Sequence, residues 1–314
     1  MGSVKAIQCC AWFLGMWLLT CPALAQPVDR PSVEQPTIVN PARSPQAQDV
    51  QAVFNDLATA TVVYLGETHD SAADHAAQLQ IIQELHRRNP RLAIGLEMFQ
   101  RPFQSAIDRY LQGEISELEL RQQTQYDRRW GFPWANYAPI LRYAKEHQLP
   151  VLALNTPAEV SRRVAQKGFD ALSQSDRQWI PPESEIRTDS NAINDGYRQF
   201  LRPLYDDFHQ MEGSSNSFEV FFLAQVLWDE TMAEGVANFV RDNPDHQVVV
   251  LAGQGHIVYG YGIPSRVARR VQGVQEFGQR LLLLNPSDEM QSETEGAMQS
   301  ASSGAIADYF WFSP

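Results

Sequence analysis

Short apolar segments that favour β-strands alternate along this chain with longer segments of helical periodicity. The five predicted strands span residues 61–66, 92–97, 151–155, 248–252 and 280–284. The helical patterns span residues 72–88, 103–111, 134–148, 158–166 and 218–240. Strands separated by helices are joined by crossover connections, which make neighbouring strands parallel and place helices on both faces of the sheet. The sequence therefore predicts an α/β fold with a mostly parallel central sheet.

Two long connections depart from this alternation. The connection between the third and fourth predicted strands is too long for one crossover, so we expect a helical layer or lid, and we place a helical insertion at about residues 100–215. Residues 286–304 are rich in Ser, Glu and Gln and predict a low-complexity loop. The aromatic segment 305–312 predicts a last strand that returns to the sheet. Residues 49–314 are thus expected to form a single domain.

The first 25 residues have the pattern of a secretory signal peptide. Lys5 precedes a short apolar run, and small residues stand before Gln26. The run is short for a membrane-spanning helix. Residues 18–21 form a loose lipobox that offers lipidation of Cys21 as an alternative, although Thr20 fits that motif poorly. The proline-rich residues 26–48 predict a flexible linker. We therefore expect an exported protein, periplasmic or membrane-anchored on the periplasmic side.

Charge and cysteine content exclude several classes of function. The formal net charge of −12 argues against binding to nucleic acid and to an anionic membrane surface, because both rely on clustered Lys and Arg. The three cysteines, Cys9, Cys10 and Cys21, all lie in the predicted signal peptide. A chain that begins at Gln26 would have no disulfide, no thiolate nucleophile and no cysteine-ligated zinc.

Polar residues follow the ends of four predicted strands. Glu67 and His69 follow the first strand, Glu97 ends the second, Asn155 ends the third, and His256 follows the fourth. The carboxyl ends of parallel strands lie along one edge of a sheet, where open α/β sheets bind ligands. We therefore expect these five side chains to converge.

The spacing Gly-x-x-His occurs twice in this set, at residues 66–69 and 253–256. Two imidazoles with nearby carboxylates can bind a metal ion or carry out acid–base chemistry, and a glycine allows a ligand to approach the backbone. The alternative is structural: each residue could cap a helix, occupy a turn or hold neighbouring loops together by hydrogen bonds. Both interpretations stay open at this stage.

Other residues are expected to surround this set. His75 lies six residues after His69 on the first predicted helix and could reach the site. Gln225 and Asp229 fall on the apolar side of the long helical segment 218–240, where a buried carboxylate needs partners, so we expect them, with Asn155, to support the site. Of two aromatic clusters, residues 130–137 are assigned to core packing. Tyr259 and Tyr261 alternate with glycines close to His256 and suit contact with a ligand.

Taken together, these motifs resemble the ChaN-like family of exported bacterial haem-binding proteins, within the Tiki/erythromycin-esterase/TraB superfamily. The resemblance covers about residues 50–284 and the aromatic C-terminal segment. It rests on five motifs in order: Gly66-Glu67-Thr68-His69, Gly95-Leu96-Glu97-Met98-Phe99, Trp228-Asp229-Glu230-Thr231-Met232-Ala233, Gly253-Gln254-Gly255-His256 and Tyr261-Gly262-Ile263-Pro264. The fold that it implies is a mixed sheet between helices.

The family resemblance implies haem binding in haem and iron uptake, with the haem iron held by a tyrosine phenolate. Tyr259 and Tyr261 are then the candidate ligands, with His256 as a supporting donor. It also implies a homodimer across the haem site and uptake machinery of the outer membrane as a partner. The chain lacks a firm lipobox, so the resemblance does not carry over membrane anchoring.

The wider superfamily implies an alternative, a metal-dependent hydrolase acting as a peptidase or an esterase. Its catalytic residues would be Glu67, His69, Glu97 and His256, and a Zn or Mn ion would be held by His69, His256 and Glu67. A metal-free version would use a His–Glu pair to deprotonate water. The chain keeps this whole polar set, which a passive haem binder would not need.

Overall fold

The computed structural model describes residues 35–212, 217–291 and 305–314. The predicted signal peptide, residues 26–34 of the predicted linker and residues 292–304 of the predicted low-complexity loop lie outside the described residues. Residues Gln35–Pro314 cluster as one compact unit.

Eight strands and eleven α-helices make up the described part of the chain. The strands are β1 (Thr37–Asn40), β2 (Ser44–Ala47), β3 (Val62–Glu67), β4 (Leu92–Gln100), β5 (Val151–Asn155), β6 (Gln247–Gly253), β7 (Gln279–Leu284) and β8 (Tyr309–Phe312). The helices are α1 (Val50–Ala58), α2 (Ala72–Arg88), α3 (Gln104–Leu111), α4 (Glu117–Gln123), α5 (Tyr126–Arg129), α6 (Trp134–Glu146), α7 (Ala158–Lys167), α8 (Gln174–Arg177), α9 (Ala192–Glu212), α10 (Phe218–Asp242) and α11 (Ile263–Arg270).

All eight strands form one sheet, in the order β2-β1-β8-β7-β3-β6-β4-β5. Within this sheet the six successive strands β8, β7, β3, β6, β4 and β5 run parallel to one another. Strand β1 is antiparallel to both β8 and β2. Every residue of β3, β4 and β6 is buried, as expected for central parallel strands whose two faces are both covered. The predicted mostly parallel, mixed sheet is confirmed.

Helices pack on both faces of this sheet, because successive side chains of a strand point to opposite faces. Val63 and Leu65 of β3 face the core beneath α1, α2 and α6. Val62 and Tyr64 face the core beneath α10 and α11. A third apolar cluster joins α7, α9 and the start of α10, and forms the predicted helical layer between the third and fourth parallel strands. Among the described helices, none is long and apolar enough to cross a membrane.

The linker prediction for residues 26–48 is wrong for its second half. Strands β1 and β2 lie in this segment, and Ile38 is fully buried. Ile38 pairs with Trp311 across the antiparallel β1–β8 ladder. Three prolines of the described part misled the prediction: Pro36 and Pro41 flank β1, and Pro45 lies in β2 at the edge of the sheet, where a missing N–H is tolerated. The predicted last strand, residues 305–312, is confirmed in its second half, Tyr309–Phe312.

Candidate functional site

The strand order places the predicted polar residues along one edge of the sheet. Strands β3, β6, β4 and β5 are successive neighbours and parallel, so their carboxyl ends lie side by side. Glu67 is the last residue of β3, Asn155 is the last of β5, and His256 follows β6 by three residues. Glu97 lies within β4, which continues to Gln100. The sheet therefore gathers the side chains that the sequence analysis expected to converge.

Glu67 is the centre of a first buried group. Its carboxylate is 2% exposed and accepts hydrogen bonds from three donors. His69 Nδ1–H donates to Oε1 at 2.8 Å, the Tyr137 hydroxyl donates to Oε1 at 2.5 Å, and Gln78 Nε2 donates to Oε2 at 2.5 Å. A buried carboxylate requires such donors to remain ionised. Because Nδ1 of His69 is engaged with Glu67, its other ring nitrogen, Nε2, is the one left available.

The ring of His69 is held in a narrow position at the sheet edge. It packs against Trp130 and Phe132, with ring centroids 4.8 and 4.9 Å apart. On its other side it lies against the backbone of Gly253. Burial disfavours the charged ring, but the hydrogen bond to Glu67 and the charge of Glu97 outweigh burial and raise the pKa of His69. No described residue hydrogen-bonds to Nε2 of His69, which makes this nitrogen a candidate base or metal ligand.

A second buried group contains His256, Asp229 and Glu97. His256 Nδ1 lies 2.7 Å from Asp229 Oδ1, and its Nε2 lies 3.4 Å from Glu97 Oε1. The backbone N–H of Gly253 donates to Glu97 Oε2 at 2.8 Å. Burial opposes the charge on His256, but the two carboxylates prevail and raise its pKa to about 10. Burial also opposes ionisation of Glu97, but the charge of His256 and its hydrogen bond lower the pKa of Glu97 to about 2.

The residues expected to support the site lie in contact with these two groups. His75 Nε2 donates to the backbone carbonyl of His69 at 3.0 Å. Asn155 Nδ2 donates to the backbone carbonyl of Glu97 at 3.0 Å. Gln225 Nε2 lies 3.1 Å from Nδ1 of His256. Asp229 is the carboxylate on α10 that pairs with His256, as described above. These contacts fix the strand ends and the orientation of both imidazoles.

A cavity of about 420 Å³ opens beside these groups, at the carboxyl ends of β4 and β5. Two tryptophans line it: Trp130, which touches His69, and Trp228, whose ring centroid lies 6.4 Å from that of His256. The exposed side chain of Arg162, on α7, also lines the cavity and has no ion-pair partner among the described residues. Trp130 Nε1 and Thr156 Oγ1 are buried without a hydrogen-bond partner in the described part of the chain. The cavity therefore offers aromatic walls and a cation.

Tyr259 and Tyr261 lie on another side of His256. Their rings stack with centroids 5.2 Å apart, and the backbone of Tyr259 is left-handed, with φ of 54°. Tyr261 packs against Tyr197, and its hydroxyl lies where a Cβ on Gly196 would be. Both tyrosines are half-buried, and neither lines the cavity between the two tryptophans. Tyr197 joins the two regions, because its hydroxyl donates to the carbonyl of Gly255 at 3.0 Å.

The three predicted metal ligands do not face one point. His69 and His256 both approach Glu97, whereas Glu67 lies beneath His69 with both carboxylate oxygens engaged. Across residues 35–212, 217–291 and 305–314, no group of three or more His, Cys, Asp or Glu side chains is arranged to hold a metal ion.

Sequence analysis missed the second role of the aromatic cluster at residues 130–137. Tyr137 is indeed part of the core, but its hydroxyl also binds Glu67, and Trp130 lines the cavity. Trp228 and Arg162 were likewise not assigned to a site. The one available signal in the sequence was the proline at the start of α6. A proline there predicts where the helix begins, but it does not predict which residues the helix packs against.

Comparisons with known proteins agree with this architecture. A family model described as "Haem-binding uptake, Tiki superfamily, ChaN" matches residues 53–267. The solved structure of cofacial haem binding to ChaN of Campylobacter jejuni is 17% identical, with a TM-score of 0.65, and the match covers 89% of this chain and 97% of that one. An erythromycin esterase, EreC, is 18% identical with a TM-score of 0.44 over 79% of this chain and 76% of that one.

A curated relative, the chloroplastic protein RETICULATA-RELATED 5 of Arabidopsis thaliana, is 25% identical over 280 residues. The match covers 85% of this chain but only 36% of the plant protein. The chain thus spans about a third of the length of this relative.

Proposed function

Because the chain belongs to the ChaN family of haem-binding uptake proteins in the Tiki superfamily, we propose that it binds haem at the carboxyl-end edge of its sheet and serves haem or iron uptake outside the cytoplasm. The observation that carries the proposal is the cavity of about 420 Å³ between Trp130 and Trp228. Its size is within the range of small-molecule sites, and its aromatic walls suit a flat porphyrin.

The polar groups of this cavity support the same ligand. Haem carries two propionate carboxylates, which pair well with guanidinium groups. Arg162 is exposed at the cavity and unpaired within the described residues, so it is available for a propionate. Arg129 also lines the cavity but already pairs with Glu159 at 2.8 Å.

Three side chains are candidates for the haem iron. The family resemblance proposes Tyr259 or Tyr261, whose half-buried, stacked rings could present a phenol to a second protomer. His69 is a further candidate: it does not line the cavity but packs against Trp130, which does. Its Nε2 is available while Nδ1–H is bonded to Glu67, the arrangement typical of metal-ligating histidines. His256 remains a supporting donor, since both of its nitrogens face carboxylates. Bound haem would supply the iron as cargo, and these residues would orient and hold it.

Haem titration followed by absorption spectroscopy tests the proposal. We expect a saturable Soret shift at micromolar haem. Arg162→Gln should weaken binding by about 3- to 10-fold, because one charge-assisted contact is lost. Lys167→Gln is the matched control: Lys167 is an exposed cation on the same helix, α7, and does not line the cavity. Absence of a Soret shift in the wild-type chain would refute haem binding. If Arg162→Gln and Lys167→Gln weaken haem binding equally, haem binds outside this cavity.

The iron ligand is identified by separate variants. Tyr259→Phe, Tyr261→Phe and His69→Gln each remove one candidate atom. The variant that removes the ligand should change the spectrum of bound haem as well as its affinity, whereas the other two should leave the spectrum unchanged. If all three spectra match that of the wild type, none of the three candidates binds the iron.

Export and assembly are part of the same proposal. We propose that residues 1–25 are removed on export, that haem joins two copies of the chain, and that the holo form interacts with outer-membrane uptake machinery. Mass spectrometry of the protein from the periplasm should give a chain that begins at Gln26. Sedimentation with and without haem should show a haem-dependent dimer. An uncleaved cytoplasmic protein or a monomeric haem complex would contradict the corresponding part.

A second function, hydrolysis of an ester or a peptide, is favoured by the Glu67–His69 pair. A buried carboxylate that orients an imidazole whose Nε2 is available is the arrangement of a general base. Hydrolysis of p-nitrophenyl acetate and of a peptide library should then depend on His69, and His69→Gln should remove it. His86→Gln is the control, because His86 bonds Tyr143 on a different surface. Stimulation by added Zn or Mn would identify a metal-dependent enzyme, and activity without them a metal-free one.

A further inference from the structure

A second cavity, of about 530 Å³, is formed by α10, α11 and residues 187–194. It lies on the other side of α10 from the cavity between Trp130 and Trp228, which we call the haem cavity. We call it the arginine cavity, after Arg187, Arg266 and Arg269, which line it. None of the residues discussed so far as haem or hydrolase candidates lines it. The two family motifs on α10 and α11, residues 228–233 and 261–264, contain none of these three arginines.

The arginine cavity is built around one buried acid. Glu230, on α10, is fully buried and lines the cavity. Its Oε2 accepts from Arg269 Nη2 at 2.6 Å and from Arg270 Nη1, and its Oε1 faces the backbone N–H of Arg187 at 3.4 Å. Arg266 Nε lies 3.4 Å from the same Oε1. Both oxygens of Glu230 are therefore used, and one carboxylate serves several cations.

Guanidinium donors are left over after these contacts. Arg266 is 3% exposed, and its Nη1 donates to the backbone carbonyl of Gly262 at 2.9 Å. Its Nη2 has no hydrogen-bond partner within the described ranges, whereas its Nε is ion-paired with Glu230. The exposed guanidinium of Arg187 also lacks an ion-pair partner in the part of the chain that the structure describes.

The charges of this region add up to a site for an anion. Arg187, Arg266, Arg269 and Arg270 face three carboxylates, those of Glu230, Glu185 and Asp189. Burial lowers the pKa of Arg269 and is only partly offset by its hydrogen bond to Glu230 and by the charge of Glu230. The charges of Arg270 and Arg187 act in the same direction as burial but more weakly. Arg187 and Arg270 thus lie close enough to Arg269 to repel its charge. An added negative charge would relieve this repulsion.

We propose that the arginine cavity binds a small oxyanion, a carboxylate or a phosphate, through Arg187, Arg266 and Arg269. The planar guanidinium groups match the oxygen spacing of both ligand types. This site is independent of the haem cavity, so it stands or falls separately from the proposed function.

Isothermal titration at constant ionic strength tests the inference with inorganic phosphate and acetate as probes and chloride as the non-specific arm. We expect saturable binding of phosphate or acetate. Arg187→Gln should weaken it by about 3- to 10-fold, and Arg187→Gln with Arg269→Gln by more than about 10-fold. Arg43→Gln is the matched control, since Arg43 is another exposed arginine and lies in the β1–β2 turn. Haem titration of Arg187→Gln should match the wild type.

Several outcomes would overturn the inference. No saturable binding of either probe by about 20 mM would leave only weak, non-specific association. Equal binding by Arg187→Gln and Arg43→Gln, or equal competition by chloride, would show that the cavity does not recognise oxyanions. A loss of haem affinity in Arg187→Gln would mean that the cavity is not a separate site. Arg187 is exposed, so its variant tests the site even if the double variant fails to fold.

Discussion

The imidazole of His69 lies directly against the Cα of Gly253, although the two residues are far apart in the chain. A Cβ built on Gly253 would lie 3.0 Å from Cε1 and 3.1 Å from Nε2 of His69. The N–H of Gly253 meanwhile donates to Glu97. The first glycine of the second Gly-x-x-His motif therefore makes room for the histidine of the first. This contact explains the pairing of the two motifs better than a direct role of Gly253 in ligand binding.

Gly253→Ala should displace the His69 ring by a few tenths of an ångström and strain its hydrogen bond to Glu67. Overpacking of this kind costs about 1–3 kcal/mol of unfolding free energy. Gly255→Ala is the control, because a Cβ at Gly255 meets nothing within 4 Å, and it should change stability by less than about 0.5 kcal/mol. Guanidinium denaturation measures both variants. Equal stabilities would show that the ring shifts without cost.

Stability should depend on pH through His256 and Glu97. The pKa of His256 is raised from 6.5 to about 10, so its contribution is complete below pH 6.5 and is lost as pH rises towards 10. The pKa of Glu97 is lowered from 4.5 to about 2, so its contribution is complete above pH 4.5 and is lost as pH falls towards 2. The unfolding free energy from denaturant titrations should therefore be greatest between pH 4.5 and 6.5. An unfolding free energy that stays constant from pH 6.5 to 10 would show that a charged His256 does not stabilise the folded protein.

Asp229→Asn should lower the pKa of His256, because one of the two carboxylates that stabilise the imidazolium is removed. The drop in stability above pH 6.5 should become smaller at the same time. NMR titration of the imidazole resonances measures this shift. Glu219→Gln is the control, since Glu219 lies on the same helix, α10, and pairs with Arg198 at the surface. A His256 pKa that is unchanged in Asp229→Asn would show that Glu97 alone controls it.

Tyr137→Phe should destabilise the protein by about 1.5–3 kcal/mol, because the buried carboxylate of Glu67 loses a donor. Tyr126→Phe is a close control. Both tyrosines are buried, their ring centroids are 6.3 Å apart, and the hydroxyl of Tyr126 has no hydrogen-bond partner within the described residues. Removal of an unsatisfied hydroxyl should be neutral or stabilising. Thermal unfolding of both variants separates the effect on stability of losing the hydrogen bond from the effect of removing an oxygen atom.

The sheet edge that carries the site could be predicted because it follows from local patterns. Glu67, Asn155 and His256 stand at or just beyond the ends of apolar segments, and parallel strands place such ends together. The exact bounds of β5 and α2 were predicted for the same reason, since each is delimited by turn or capping residues. Ser71, for example, accepts a hydrogen bond from Asp74 N at the start of α2.

Contacts between distant segments could not be predicted in this way. Tyr137 lies 70 residues from Glu67, and the sequence does not say which way α6 turns its polar hydroxyl. Trp130 and Trp228 form one cavity only because α5 and α10 reach the same sheet edge from different directions. Helical periodicity separates a buried face from an exposed one, but it does not identify the neighbour of that face.

Strand β1 was missed for a related reason: its pairing partner, β8, comes almost 270 residues later in the chain. Strand β8 lies between β1 and β7, so the β1–β2 pair can join the rest of the sheet only through β8. During synthesis the β1–β8 pairing can therefore form only after nearly all of the described chain has left the ribosome. Completion of the sheet therefore depends on the last strand of the chain rather than on the first.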